Sequence, residues 1–144
     1  MAIETKYTDA YYGVMPDKRD AGGVVCRTGD YVVGSSALDA NSMVYMCKVP
    51  EGARIMRIDY KVSALGASRT MEVGTPTDDD KYDTAVDVSS AVSGYIIPDN
   101  EVLSDDETLV FKVENGTIPA AAEFLAHVWY KMADCIADEA AVAS

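Results

Sequence analysis

The sequence has few of the residues from which catalytic and metal sites are usually built. Its 144 residues include one histidine, one tryptophan and three cysteines. A zinc site needs several His or Cys ligands at set spacings, and the sequence contains no C-x-x-C pair, P-loop, G-x-G-x-x-G turn or G-x-S-x-G elbow. We therefore expect neither catalysis nor a cofactor, and we expect His127 to have a packing or hydrogen-bonding role.

Basic residues are also scarce. Twelve Lys and Arg stand against 24 Asp and Glu, for a net charge of −12. Such a chain repels phosphate backbones and anionic lipids, so we expect no nucleic-acid or membrane partner. The sequence shows no signal-peptide pattern, in which a positively charged segment is followed by an apolar one, and no apolar run of membrane-spanning length. We therefore expect a soluble protein made inside the cell, with Cys26, Cys47 and Cys135 as reduced thiols.

The length fits one domain, flanked by two segments of different character. We predict an N-terminal arm over residues 1–23, a β-domain over 24–133 and an acidic, alanine-rich tail over 134–144. The arm has neither helical nor strand periodicity, yet it is rich in large side chains that favour docking on this chain or on a neighbour. These are Tyr7, Tyr11, Tyr12 and Met15.

Two-residue alternation is the strongest structural signal in the chain, because it places one set of side chains on a single face of a strand. In one run the set expected to be buried is Met56, Ile58, Tyr60, Val62 and Ala64. In the last run it is Phe124, Ala126, Val128, Tyr130 and Met132. Trp129 then falls on the opposite face, which indicates a second apolar surface that a partner would cover.

Turn chemistry divides the remaining β-rich runs. We predict a turn at residues 28–30, a hairpin connection at 65–68, and either two short strands or an irregular excursion over 85–97. Several short strands without an amphipathic helix indicate an all-β fold, an antiparallel sandwich or barrel. The strand order stays open at this point.

An acidic loop supplies the only metal-like cluster. Asp78, Asp80 and Asp83 are the candidate ligands, because calcium prefers carboxylate oxygens on loops. Consecutive aspartates cannot all point inward, however, and the spacing of an EF-hand is absent. A solvated acidic loop is therefore the favoured interpretation, with calcium as the alternative.

Several turn and strand phrases together resemble the small structural proteins of tailed bacteriophages, in particular capsid decoration or cement proteins. The phrases are Val49-Pro50-Glu51-Gly52-Ala53, Ala64-Leu65-Gly66-Ala67-Ser68, Thr70-Met71-Glu72-Val73-Gly74-Thr75 and Gly116-Thr117-Ile118-Pro119-Ala120-Ala121. The resemblance covers roughly residues 43 to 132.

The resemblance implies a jelly-roll-like sandwich with an extended N-terminal arm. It also implies homodimers or homotrimers on the outer surface of a capsid, where they would bridge subunits of the major capsid protein after synthesis in the host cytoplasm. The expected partner-binding residues are Tyr7, Tyr11, Tyr12, Met15 and Trp129. The alternative is a receptor- or carbohydrate-binding module of a head fibre or tail, in which Trp129 and the tyrosines form a stacking platform.

Overall fold

The computed structural model describes residues 4–7, 23–99 and 101–132. These residues form nine β-strands and no helix. The strands are β1 (Thr5–Tyr7), β2 (Val24–Val32), β3 (Met43–Val49), β4 (Ala53–Val62), β5 (Thr70–Gly74), β6 (Asp83–Asp87), β7 (Val92–Ile96), β8 (Glu107–Glu114) and β9 (Glu123–Met132). Within these ranges no helix is long and apolar enough to cross a membrane. The predicted all-β fold is confirmed.

The strands form two sheets with a regular pairing scheme. One sheet has the order β1-β3-β8-β5-β6 and the other the order β2-β9-β4-β7. Except for the parallel pair β1–β3, every pairing is antiparallel. Strands β2 to β9 pair as 2 with 9, 3 with 8, 4 with 7 and 5 with 6, as a long ribbon rolled onto itself would. The β-sandwich is confirmed, and its order is compatible with the jelly-roll-like arrangement.

The core lies between the two sheets, where alternate residues of each strand meet. The rings of Phe111 on β8 and Phe124 on β9 lie 6.5 Å apart across it. All five residues predicted to share the inner face of β9 are buried. This prediction succeeds because every second residue of β9 is apolar, and the two-residue period of a strand places all of them on one side.

The predicted turn at residues 28–30 is wrong. Strand β2 runs through it without a break and pairs with β9 over all nine residues, so that the buried Gly29 faces Ala126. Turn chemistry is a local preference, and here the ladder of cross-strand hydrogen bonds outweighs it.

The predicted inner face of β4 is wrong at both ends. The pairing with β9 shifts between Ile55 and Arg57, a β-bulge that turns Met56 outward and leaves it 47% exposed. At the other end, β4 stops at Val62, and Ala64 is exposed. Bulges depend on the partner strand and carry little sequence signature.

The predicted hairpin at residues 65–68 is also wrong, because β4 and β5 belong to different sheets. Leu65 is buried, and its backbone N–H donates to the carbonyl of Val88. The segment is therefore a crossing between the layers. By contrast, β6 and β7 are two short strands between residues 83 and 96. Of the two alternatives given for residues 85–97, two short strands or an irregular excursion, the first is therefore correct.

Part of the predicted arm extends the five-stranded sheet. Strand β1 pairs with Met43 to Tyr45 of β3, and the N–H of Glu4 donates to the hydroxyl of the buried Ser42. Residues 8–22 and the predicted tail from 134 lie outside the described residues, so the domain bounds stay a prediction.

Candidate interaction surface

Exposed apolar side chains concentrate on one sheet. Of the seven large hydrophobic residues that are exposed in the described ranges, five belong to the four-stranded sheet: Val24, Val32, Met56, Tyr95 and Trp129. The other two, Ile97 and Val102, lie in loops. This concentration of exposed apolar side chains makes the outer side of the four-stranded sheet the candidate interaction surface.

We call the outer side of this sheet the Trp129 face. It consists of the outward side chains of β2, β9, β4 and β7: Val24, Cys26, Thr28, Asp30, Val32, Glu123, Leu125, His127, Trp129, Lys131, Arg54, Met56, Arg57, Asp59, Lys61, Ser93 and Tyr95. The pairing registers align them in rows, and one row runs Thr28, His127, Asp59, Tyr95.

Asp59 joins the aromatic residues of this face. It accepts hydrogen bonds from Trp129 Nε1 at 2.9 Å and from Arg57 Nε at 2.7 Å. The Arg57 guanidinium in turn lies over the Tyr95 ring, 4.2 Å from its centroid. Burial alone would raise the pKa of Asp59, but the bonds from Arg57 and Trp129 outweigh it and lower that pKa, so the carboxylate stays charged. The result is a connected Trp–Asp–Arg–Tyr cluster on the surface.

The same row brings a hydroxyl, an imidazole and a carboxylate together, which invites comparison with a catalytic triad. Thr28 Oγ1 lies 2.7 Å from His127 Nδ1. A triad also needs a carboxylate that orients the ring through its other nitrogen. Asp59 directs its oxygens to Arg57 and Trp129 instead. The arrangement therefore suits hydrogen bonding, as predicted for His127, and its geometry differs from that of a triad.

Shallow grooves border the cluster. One of about 500 Å³ runs between β4 and β7 and is lined by Arg57, Lys61, Tyr95, Leu125 and His127 among others. A second, of about 550 Å³, lies at the end of the sheet beside Val32 and Phe124. Both are large enough to receive side chains or a small ligand.

The outer side of the five-stranded sheet differs in character because it is dominated by charge. Lys112 Nζ lies 2.8 Å from Asp79 and 3.5 Å from Glu114. Glu72 lies opposite Lys112, and hydrogen bonding with Glu114, together with burial and Asp79, raises the pKa of Glu72 to about 8. Lys112 lowers the pKa of Asp79, so the shared proton resides on Glu72.

The three calcium candidates do not converge. Asp78 and Asp80 approach each other, and this hydrogen bonding raises the pKa of Asp78. Asp83 accepts a hydrogen bond from the backbone N–H of Ala85. Across the described ranges no group of three or more His, Cys, Asp or Glu side chains is arranged to hold a metal ion. The calcium prediction gains no support from this arrangement.

The predicted partner-binding residues lie on separate parts of the molecule. Trp129 is 38% exposed on the four-stranded sheet, whereas Tyr7 ends β1 at the edge of the other sheet. Tyr11, Tyr12 and Met15 fall outside the described residues. The sequence did not single out Arg57, Asp59 and Tyr95. Their link to Trp129 depends on strand register, and the alternation of Arg57 and Asp59 on one face was the only local signal.

Comparison with known proteins shows similarity at the level of the fold. No protein-family model matches the sequence, and neither does any curated protein. A chain of the capsid of Ralstonia phage GP4 superposes with a TM-score of 0.70 and 16% identity, covering 92% of this chain and 98% of that one. A chain of the cyanophage Pam1 capsid asymmetric unit gives 0.64 and 17%, covering 82% and 91%. A chain of the acidic stable capsid of Helicobacter pylori bacteriophage KHP30 gives 0.54 and 15%, covering 77% and 93%. The resemblance to phage capsid proteins is thus confirmed in the fold.

Proposed function

We propose that this chain is a virion structural protein that decorates the outer surface of a bacteriophage capsid and bridges subunits of its major capsid protein. The observation that carries the proposal is the fold shared over most of both chains with components of phage capsids, above all the 98% coverage of the GP4 chain. The match spans nearly the whole of that chain, so the shared fold extends over both sheets of the sandwich.

The Trp129 face supports a role in binding. Trp, Tyr and Arg are the residues most enriched at the energetic centres of protein interfaces, and Trp129, Tyr95 and Arg57 meet there around Asp59. We propose Tyr7, Tyr11, Tyr12 and Met15 as a second contact, in which the N-terminal segment docks on a capsid subunit. Many identical contacts on a lattice would add through avidity, so each one can be weak.

Cosedimentation with capsids tests the proposal. Purified full-length chain is mixed with expanded, undecorated capsids of the phage that encodes it, over a range of salt concentrations. We expect saturable binding at a fixed ratio to the major capsid protein. The double substitution Tyr11→Ala/Tyr12→Ala should weaken binding, whereas Val102→Ala, which trims an exposed loop residue, should not. A chain that stays in the supernatant at every salt concentration would refute the proposal.

A receptor- or carbohydrate-binding module is the second candidate. The groove of about 500 Å³ beside the exposed Tyr95 ring offers an aromatic wall together with cationic and hydroxyl groups. Sugar rings stack on such walls, and their hydroxyls bond to such groups. A glycan array probed with the full chain should then give hits that Tyr95→Ala abolishes. An array without hits would leave the decoration role as the better account.

A further inference from the structure

We propose that two copies of this chain associate through the Trp129 face and cover Trp129 and Tyr95 from solvent. This inference deepens the proposed function, in which the chain acts as an assembled unit. It does not depend on the capsid contact itself. Three features of the face argue for it: its charge, its rigidity and its size.

The charge of the face differs from that of the rest of the chain. It carries four cations, Arg54, Arg57, Lys61 and Lys131, against three carboxylates, Asp30, Asp59 and Glu123, for a net charge of +1. Since the whole chain carries −12, the remainder carries −13. Two such chains repel each other in most orientations. Approach through the Trp129 face brings two nearly neutral surfaces together and so reduces that repulsion, and Lys61 and Asp30 offer opposite charges on different strands.

The outer side of the five-stranded sheet is poorly suited to the same role. Two carboxylates, Asp79 and Glu114, share the cation Lys112, and the carboxyl group of Glu72, whose pKa is raised, lies beside them. Covering that cluster with a second acidic copy would desolvate carboxylates that have too few cationic partners. Between the two sheets, self-association is therefore favoured at the Trp129 face.

The aromatic cluster is already ordered, which lowers the cost of association. Trp129 and Arg57 are both held by Asp59, and Arg57 covers one side of Tyr95. Fixing a flexible side chain on binding costs roughly 0.5–1.5 kcal/mol. Side chains fixed beforehand avoid most of this cost, so the cluster offers a preformed centre for an interface.

The size of the face also fits. Four strands spaced about 4.8 Å apart give a width of about 19 Å, and ten-residue strands such as β4 and β9 extend about 30 Å. Since β7 has only five residues, the projected area is about 500 Å², and the accessible area is larger because the side chains protrude. A standard interface buries about 800 Å² on each partner.

Intrinsic fluorescence provides the test, because Trp129 is the only tryptophan of the chain. Emission and acrylamide quenching of the full-length protein are followed over a concentration series, with mass measured in parallel by sedimentation velocity. We expect the emission to shift to shorter wavelength and quenching to fall as the mass rises. Added salt should strengthen or preserve the association, because it screens the repulsion between two chains of −12.

Two substitutions and a control complete the design. Tyr95→Ala and Arg57→Glu should each weaken self-association at least about tenfold, while both leave the Trp129 reporter in place. Ile97→Ala, which trims a more exposed apolar residue outside the face, should leave association unchanged. Thermal unfolding of each variant checks that the sandwich is intact.

Three outcomes would overturn the inference. An oligomer in which acrylamide still reaches Trp129 would place the contact elsewhere. A monomer with Trp129 protected at every concentration would mean that the chain covers the face itself. A monomer that protects Trp129 only when capsids are added would assign the face to the capsid and leave the proposed function intact. Failure of capsid cosedimentation alone would count against the function and not against this association.

Discussion

Replacing Gly74 with alanine should destabilise the fold through one steric conflict. Gly74 ends β5, and the following loop folds back over it. A Cβ at this position would lie 2.3 Å from the carbonyl oxygen of Asp78 and 2.6 Å from the carbonyl carbon of Asp79. Both are backbone atoms, which cannot move away by a change of rotamer. The N–H of Thr75 donates to the carbonyl of Asp78 at 2.9 Å, so the loop must break this contact to make room.

The expected loss in the free energy of unfolding is about 2–4 kcal/mol. Overpacking costs about 1–3 kcal/mol, and each loop hydrogen bond that is lost adds about 1 kcal/mol. The ion pair of Lys112 with Asp79, at 2.8 Å, would weaken as the loop lifts, but a pair at the surface adds little. In urea this loss corresponds to a midpoint lower by about 1–2 M.

Gly34→Ala is the matched control. A Cβ at Gly34 would meet nothing within 4 Å, and the backbone there lies outside the left-handed region. The substitution should leave stability unchanged or raise it by up to about 1 kcal/mol, because alanine restricts the unfolded chain. Urea unfolding followed by Trp129 fluorescence measures both variants. Equal midpoints for the two would refute the close packing of the loop on Gly74.

Two further predictions concern ionisable groups. The folded protein raises the pKa of Glu72 from 4.5 to about 8. The stabilisation that protonated Glu72 provides is therefore complete below pH 4.5 and is lost as pH rises through 8. Glu72→Gln should therefore be more stable than the wild type at pH 8–9, with the difference shrinking toward pH 5 in urea titrations; an advantage that does not change with pH would contradict the shared proton. Burial raises the pKa of Cys47 to about 12, so a thiol reagent should modify it far more slowly than the half-buried Cys26 in the native protein, as peptide mapping would show. Equal rates for the two thiols would mean that Cys47 is not enclosed.

Local periodicity accounts for the parts of the fold that could be predicted. The predicted inner face of β9 is correct because the two-residue period of a strand places every second side chain on the same side. The same reasoning failed at Met56 and at residues 28–30. There the partner strand β9 decides the conformation, through a bulge in one case and an unbroken ladder in the other.

The candidate surface was predictable only through Trp129. Its position on the outer side of β9 follows from the period of that strand. The residues that surround it do not, because Asp59 lies 70 residues earlier in the chain and Tyr95 is on a third strand. Only the pairing register brings Arg57 beside Trp129, and a single sequence contains no direct record of register.

The position of β9 between β2 and β4 determines when the Trp129 face can form. The last strand of the sandwich occupies the inside of the four-stranded sheet, and the contact of Thr28 with His127 joins residues 99 apart. During synthesis β4 can pair with β7, but β2 has a partner in this sheet only once β9 has been made. Such long-range closure is slow relative to local folding. The Trp129 face therefore forms only once β9 is present, and a chain that lacks β9 cannot enter an assembly through it.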